Sequence, residues 1–200
     1  GESINIPDET ADTVKKDHKK IISVVSKSFP QENRTVATLE KTLPLDPLVS
    51  LLLGPISRRR FSQNERSIFG FLASQEKLGF KEFLEDNYNR QQTQKIYHPE
   101  KLWDYLHHNL HHLITTSADS KAWLEGCDAI FRAEQKGSES HVIVTKIIAL
   151  LTIFGFHHQL FATEEFLKKY FIARGVTNIG QILSELQEST VVIYRTQHDA

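Results

Sequence analysis

Residues 57–74, S-R-R-R-F-S-Q-N-E-R-S-I-F-G-F-L-A-S, hold a dense basic run, a helix start and an apolar helix face in one short stretch. Ser62 followed three residues on by Glu65 is a capping box, in which the Ser oxygen accepts from a first-turn N–H and the Glu reaches back to the cap. A helix is therefore predicted from about Gln63. Ile68, Phe69, Leu72 and Ala73 recur at helical spacing and predict its buried face, while Asn64, Arg66 and Ser67 lie toward the other side, next to Arg58, Arg59 and Arg60. Up to four guanidiniums thus gather at a helix N-terminus, where unpaired N–H groups and the dipole already favour an anion.

The flanking sequence extends a helical reading in both directions. Upstream, Asp46-Pro47 is a cap followed by a proline at the first helical position, and Gly54-Pro55 predicts the end of that helix. Its leucines and Val49 point all round, so the helix is expected to be buried. Earlier still, Asp8 or Thr10 begins a helix predicted to run to about Ser28, with Ile21, Ile22 and Val25 inside. Lys15, Lys16, Lys19 and Lys20 form its solvated face. A short amphipathic piece spans about Thr35 to Lys41. Downstream, helices are predicted from Phe80 to Tyr88, from Pro99 through the stripe Leu102, Trp103, Leu106, Leu110 and Leu113, and from Ser120 to Lys136 through Trp123, Cys127, Ile130 and Phe131.

The last sixty residues are organised differently. An apolar helix from about Ser140 to Phe154 stops at Gly155, Thr163 caps a second, and Asn178 caps a third whose Ile179, Ile182, Leu183 and Leu186 share one face. Val191 to Arg195 reads as a β-strand. Three helices and a strand in this order predict a winged-helix-like domain. The third helix offers Gln181, Ser184, Glu185, Gln187 and Glu188 to solvent and carries no Lys or Arg, so duplex DNA is disfavoured as its partner.

The segment R-R-F-S-Q-N-E-R-S-I-F-G-F-L at 59–72, with L-P-L-D-P-L-V-S-L-L-L-G-P before it and K-L-W-D-Y-L at 101–106, resembles a group of large bacterial P-loop ATPases of the AAA+ class, signal-transducing (STAND) or origin-recognition in type. The resemblance covers about residues 43–195. Where that pattern has a His, this chain has Asp46, and it contains no G-x-x-x-x-G-K-[ST] phosphate loop. What the resemblance implies is therefore the part of such a protein that follows an N-terminal nucleotide-binding core. That part would be a helical lid packed on a winged helix, touching the core and a protein partner or neighbouring subunit. ATP and magnesium would belong to the parent protein, with no cofactor in this segment. By the same resemblance Arg59, Arg60, Asn64 and Arg66 are the residues that approach the nucleotide phosphates, and the parent acts as a switch, often in phage defence or signalling.

Composition bounds the rest. With 40% apolar residues the chain can bury a substantial core, and 24 basic against 25 acidic residues give no overall pull toward nucleic acid or anionic lipid. A single cysteine, Cys127, excludes an internal disulfide framework and fits a reducing compartment. The longest apolar run, Val142 to Phe156, is too short to span a bilayer, so a cytoplasmic protein without membrane contact is expected. The chain has no Met and opens on Gly1, and we expect it to be a segment of a longer protein. In H-H-N-L-H-H at 107–112, His107 with His111 and His108 with His112 are pairs one helical turn apart. With no Glu between them and no cysteine nearby, they are expected to form a solvated face with no zinc site tighter than micromolar.

Together these readings predict a mainly α protein: connecting helices over 1–42, a lid-like helical bundle over 43–137, and a winged-helix-like three-helix domain with a short β element over 138–200, truncated at the wing. No nucleophile, base and orienting group assemble from the spacing, so no catalytic residue is assigned and the segment alone is not expected to hydrolyse ATP. The favoured function is a regulatory, protein-contacting portion of a larger ATPase. The alternative is a nucleic-acid-binding winged-helix protein that would depend on the Arg58–Arg60 cluster for phosphate contacts.

Overall fold

The computed structural model describes residues 8–29, 36–59, 66–89, 95–156 and 159–191. It is mainly α: the described residues form helices α1 (Asp8–Ser28), α2 (Val36–Glu40), α3 (Pro47–Ser57), α4 (Arg66–Ala73), α5 (Phe80–Asn89), α6 (Pro99–Thr115), α7 (Ser120–Lys136), α8 (Glu139–Leu150), α9 (Glu164–Ala173) and α10 (Ile179–Glu188). A π-helical turn, Leu151–Gly155, continues α8. Among the described residues there is no strand, only an isolated parallel bridge between Leu45 and Tyr97. Of the strand expected over Val191–Arg195, only Val191 is described. Its N–H bonds back to Leu186 as part of the turn that ends α10, and the remainder lies outside the described residues. No described helix is long and apolar enough to cross a membrane.

Helix α3 is the hub. Asp46 caps it, accepting the Leu48 N–H at 2.8 Å, and Pro47 occupies the first turn, where its missing N–H costs nothing. Leu48, Val49, Leu51 and Leu52 are buried on all sides. The helix does not stop at Gly54-Pro55, as the sequence suggests, but continues to Ser57 with Pro55 inside it. A proline inside a helix costs about 3 kcal/mol, and burying both Pro55 and Ile56, about 1.5–3 kcal/mol for a side chain the size of Ile, offsets that cost.

Around the hub, α1 lies against α3 and α9, with Ile21, Val25 and Phe29 inward and Phe29 meeting Phe166 at 4.5 Å between ring centres. Helices α6, α7 and α8 form a second layer. Trp103 and Trp123 stack at 4.4 Å, and Gly126 lets the three helices close up, since a Cβ there would sit 3.1 Å from Trp103 and 3.3 Å from Ala149. On the remaining side, Phe71, Phe80, Phe83, Tyr97 and Tyr105 form a cluster of aromatic rings that seats α4 and α5. The apolar core is continuous from Ile21 to Val191 and passes across the sequence divisions at 42/43 and 137/138.

Two helix faces differ from expectation. In α4, Leu72 and Ala73 are exposed while Phe71 is buried, because the aromatic cluster draws Phe71 inward and so fixes the rotation of the helix. The side chains of Ile68 and Phe69 lie outside the described residues. In α7, Phe131 is 58% exposed and Gly126 and Ala133 are buried in its place. Small residues let α7 approach α8 closely, and that contact, not side-chain hydrophobicity alone, sets the inward face.

Candidate functional site

Arg59 follows α3, one residue after the exposed Arg58, and its guanidinium turns into the bundle. Its Nη1 lies 3.2 Å from Asp119 Oδ1, and its Nη2 donates to the Ile153 carbonyl at 2.9 Å. Both partners are helix ends. Asp119 is the cap position of α7, and Ile153 lies in the π-helical turn that closes α8, where the last carbonyls have no partner further along the helix. A planar cation with several donors suits this place, because it satisfies a carbonyl at the negative end of one helix and a carboxylate at the start of another. The resemblance implies a phosphate-facing Arg59; in the structure its guanidinium bridges the start of α7 and the end of α8. Arg60 and Asn64 fall outside the described residues, as do the capping residues Ser62 and Glu65, and Arg66 is described only as the first residue of α4.

A second polar group is wholly internal. Asp46 is 0% exposed, and beyond capping α3 it accepts from the Tyr170 hydroxyl and bonds His98 Nδ1, both at 2.7 Å. Next to it Arg174 makes a two-pronged bond to Glu100, at 3.1 and 2.5 Å, and its guanidinium lies over the rings of Tyr170 and Phe171. Burial alone would push the Asp46 carboxyl up, but His98, Arg174 and Tyr170 together hold it below the ordinary carboxylate range. Tyr170 is pushed well above the ordinary phenol range, first by its own burial and then by the Asp46 charge, so it stays a donor. His18, also buried, meets the Leu45 carbonyl through Nε2 at 3.1 Å. This network locks the starts of α3 and α6 to the middle of α9. Spacing exposed Asp46 only as a cap; the available signal for the rest was a pair of charges, Glu100 and Arg174, on helices whose neighbours are apolar.

The histidine run divides in two. His108 and His112 are exposed, as expected, whereas His107 and His111 face α7. The rings of His107 and His111 meet edge to face at 4.9 Å, and His111 Nδ1 accepts from Trp123 Nε1 at 3.0 Å. Cys127, one turn beyond Trp123, completes a group in which one ring nitrogen of each histidine and the cysteine sulfur all lie within 4.8 Å of one another. Among the described residues this is the group with metal-ligand chemistry. The expectation that no cysteine stands near the histidines fails, because the packing of α7 on α6 brings Cys127 to them.

On α10 the outer face carries Gln181, Ser184, Glu185 and Glu188, joined by hydrogen bonds from Gln181 to Glu185 and from Ser184 to Glu188. His141 ties α8 to the same helix through Glu185 at 2.7 Å. The face is acidic and self-satisfied. Between α1 and α9 an open cleft of about 440 Å³ is lined by Lys27, Phe29, Phe161, Thr163 and Lys169 among others. Compared with known proteins, the chain matches no protein-family model, no curated protein and no solved structure.

Proposed function

We propose that this chain is the non-catalytic, regulatory portion of a larger P-loop ATPase of the AAA+ or signal-transducing type, and that it passes the nucleotide state of a preceding core to its own C-terminal helices. The observation that carries the reading is the clamp made by Arg59. The stretch that bears Arg58, Arg59, Arg60 and Arg66 is tied by one guanidinium to both Asp119 and the Ile153 carbonyl. A phosphate drawing on the neighbouring arginines would thereby pull on the place where the start of α7 meets the end of α8. The end of α8 is a π-helical turn, an irregularity found often where helices serve a function. Arg60 and Arg66 are the arms that reach the nucleotide, Asn64 places the loop, and Arg59 is the anchor. ATP and magnesium sit in the parent protein's core, and the winged-helix-like C-terminal part contacts that core, a partner protein or a neighbouring subunit, not DNA. The acidic outer face of α10 supports the last point, since phosphate neutralisation supplies most non-specific DNA affinity.

The test is made in the full-length protein. Arg60→Ala or Arg66→Ala is expected to lower ATP hydrolysis at least about tenfold, or roughly 1.4 kcal/mol of transition-state stabilisation, with the fold intact by circular dichroism. Near-normal turnover in both variants would overturn the reading.

A further inference from the structure

We infer that His107, His111 and Cys127 form a binding site for a zinc-type divalent ion at the α6–α7 contact. Two imidazoles one turn apart on α6 and a thiol from α7 converge at the rim of the bundle, their ligand atoms within 4.8 Å of one another. Tetrahedral zinc with nitrogen and sulfur ligands needs those atoms about 3.3–3.6 Å apart, so the group closes by up to about 1.5 Å, within reach of side-chain rotations. His107 is exposed and Cys127 half-buried, which gives the ion a path from solvent and leaves a fourth position for water. The donor set suits a borderline-soft cation and not magnesium or calcium, which take oxygen ligands.

The surroundings bear on protonation. Although its surface is open, partial desolvation against α7 and then His111 hold His107 below the ordinary histidine range. The charged groups facing it are Asp104 and Glu134, which favour a cation, and Lys146, which opposes one but is paired with Asp104 at 2.6 Å. Burial pushes the Cys127 thiol up, so binding must displace its proton: the S–H bond breaks, a metal–sulfur bond forms, and one proton is released per ion. Affinity therefore rises with pH. One further bond must yield. The Trp123 indole N–H occupies His111 Nδ1, so the ion either takes that nitrogen directly or binds Nε2 after its proton moves to Nδ1. In both cases Trp123 loses its acceptor, and as this ring is buried and stacked on Trp103, its emission reports the event.

The experiment titrates the tag-free chain with zinc by calorimetry, in two buffers of different ionisation enthalpy, and with cobalt by absorption and tryptophan fluorescence. One site tighter than micromolar is expected, with one proton released, a sulfur-to-cobalt charge-transfer band and a change in tryptophan emission. Cys127→Ser should abolish the charge-transfer band, and Cys127→Ser and His107→Gln should each weaken zinc at least about tenfold, since even changes outside the coordination sphere cost that much. His107 is exposed, so its variant leaves the core untouched. The double variant His108→Gln, His112→Gln should bind like the parent chain. Absence of a site tighter than micromolar, binding indifferent to Cys127→Ser, or binding lost in the His108, His112 variant would each overturn the proposal.

Discussion

The Tyr170 hydroxyl donates to Asp46 Oδ2 at 2.7 Å across 124 positions of sequence, joining the cap of α3 to the middle of α9. Because Asp46 is fully buried, its charge is tolerable only while these donors stay in place. Asp46→Ala is expected to cost about 3–5 kcal/mol, the usual range when one member of a buried charged pair is removed. Tyr170→Phe, which withdraws a single donor, should cost about 1–3 kcal/mol. Urea denaturation checks both, and a loss smaller for Asp46→Ala than for Tyr170→Phe would contradict this account.

Acid should destabilise the fold in two stages. Burial lowers the pKa of His18 below its ordinary 6.5, and the Leu45 carbonyl, Asp46 and Glu40 offset this only in part, while His98 adds to it. A histidine depressed in the fold is protonated first in the unfolded chain, so its contribution is present above about pH 6.5 and is lost as pH falls toward the folded value. Asp46, held below its ordinary 3.8, adds a second loss as pH falls past that value. Denaturation midpoints between about pH 7.5 and about pH 5.5 should drop in the parent chain and drop less in His18→Gln. An identical slope in the two proteins would rule out His18 as the source.

Arg59→Ala breaks a bond to a carboxylate and one to a carbonyl, at a site only partly open to solvent. The expected loss is about 1.5–3 kcal/mol, as for hydrogen bonds that involve a charged group. Arg59→Lys should recover less than half of it, because an ammonium on a single stem does not span Asp119 and Ile153 together. Full recovery by lysine would show that charge alone matters there.

Gly155 closes the π-helical turn, and its carbonyl accepts the Leu160 N–H at 3.1 Å. A Cβ at this position would collide with the Leu160 carbonyl, a backbone atom that cannot rotate away. Gly155→Ala is therefore expected to lower stability by about 1–3 kcal/mol, whereas Gly175→Asn, at a position with φ +86 and open space around it, should be tolerated better. Thermal melts of the two variants give the comparison.

What the chain determined by itself was local. Asp46-Pro47, Thr163 and the apolar spacing of Ile179, Ile182, Leu183 and Leu186 specify helix starts and inward faces from residues a turn or two apart. Tertiary structure decided what spacing does not encode. It buried Pro55 within α3, where packing of Pro55 and Ile56 offsets the cost of a proline in a helix, and it turned Phe71 of α4 inward because four more rings converge there from α5, the segment before α6, and α6 itself. It also placed Cys127 beside His107 and His111, and Arg174 beside Glu100. The physical reason is one of range. Capping and periodicity act over about one helical turn, while ion pairs and ligand groups between helices depend on how whole faces dock, which is settled by apolar contacts far apart in sequence.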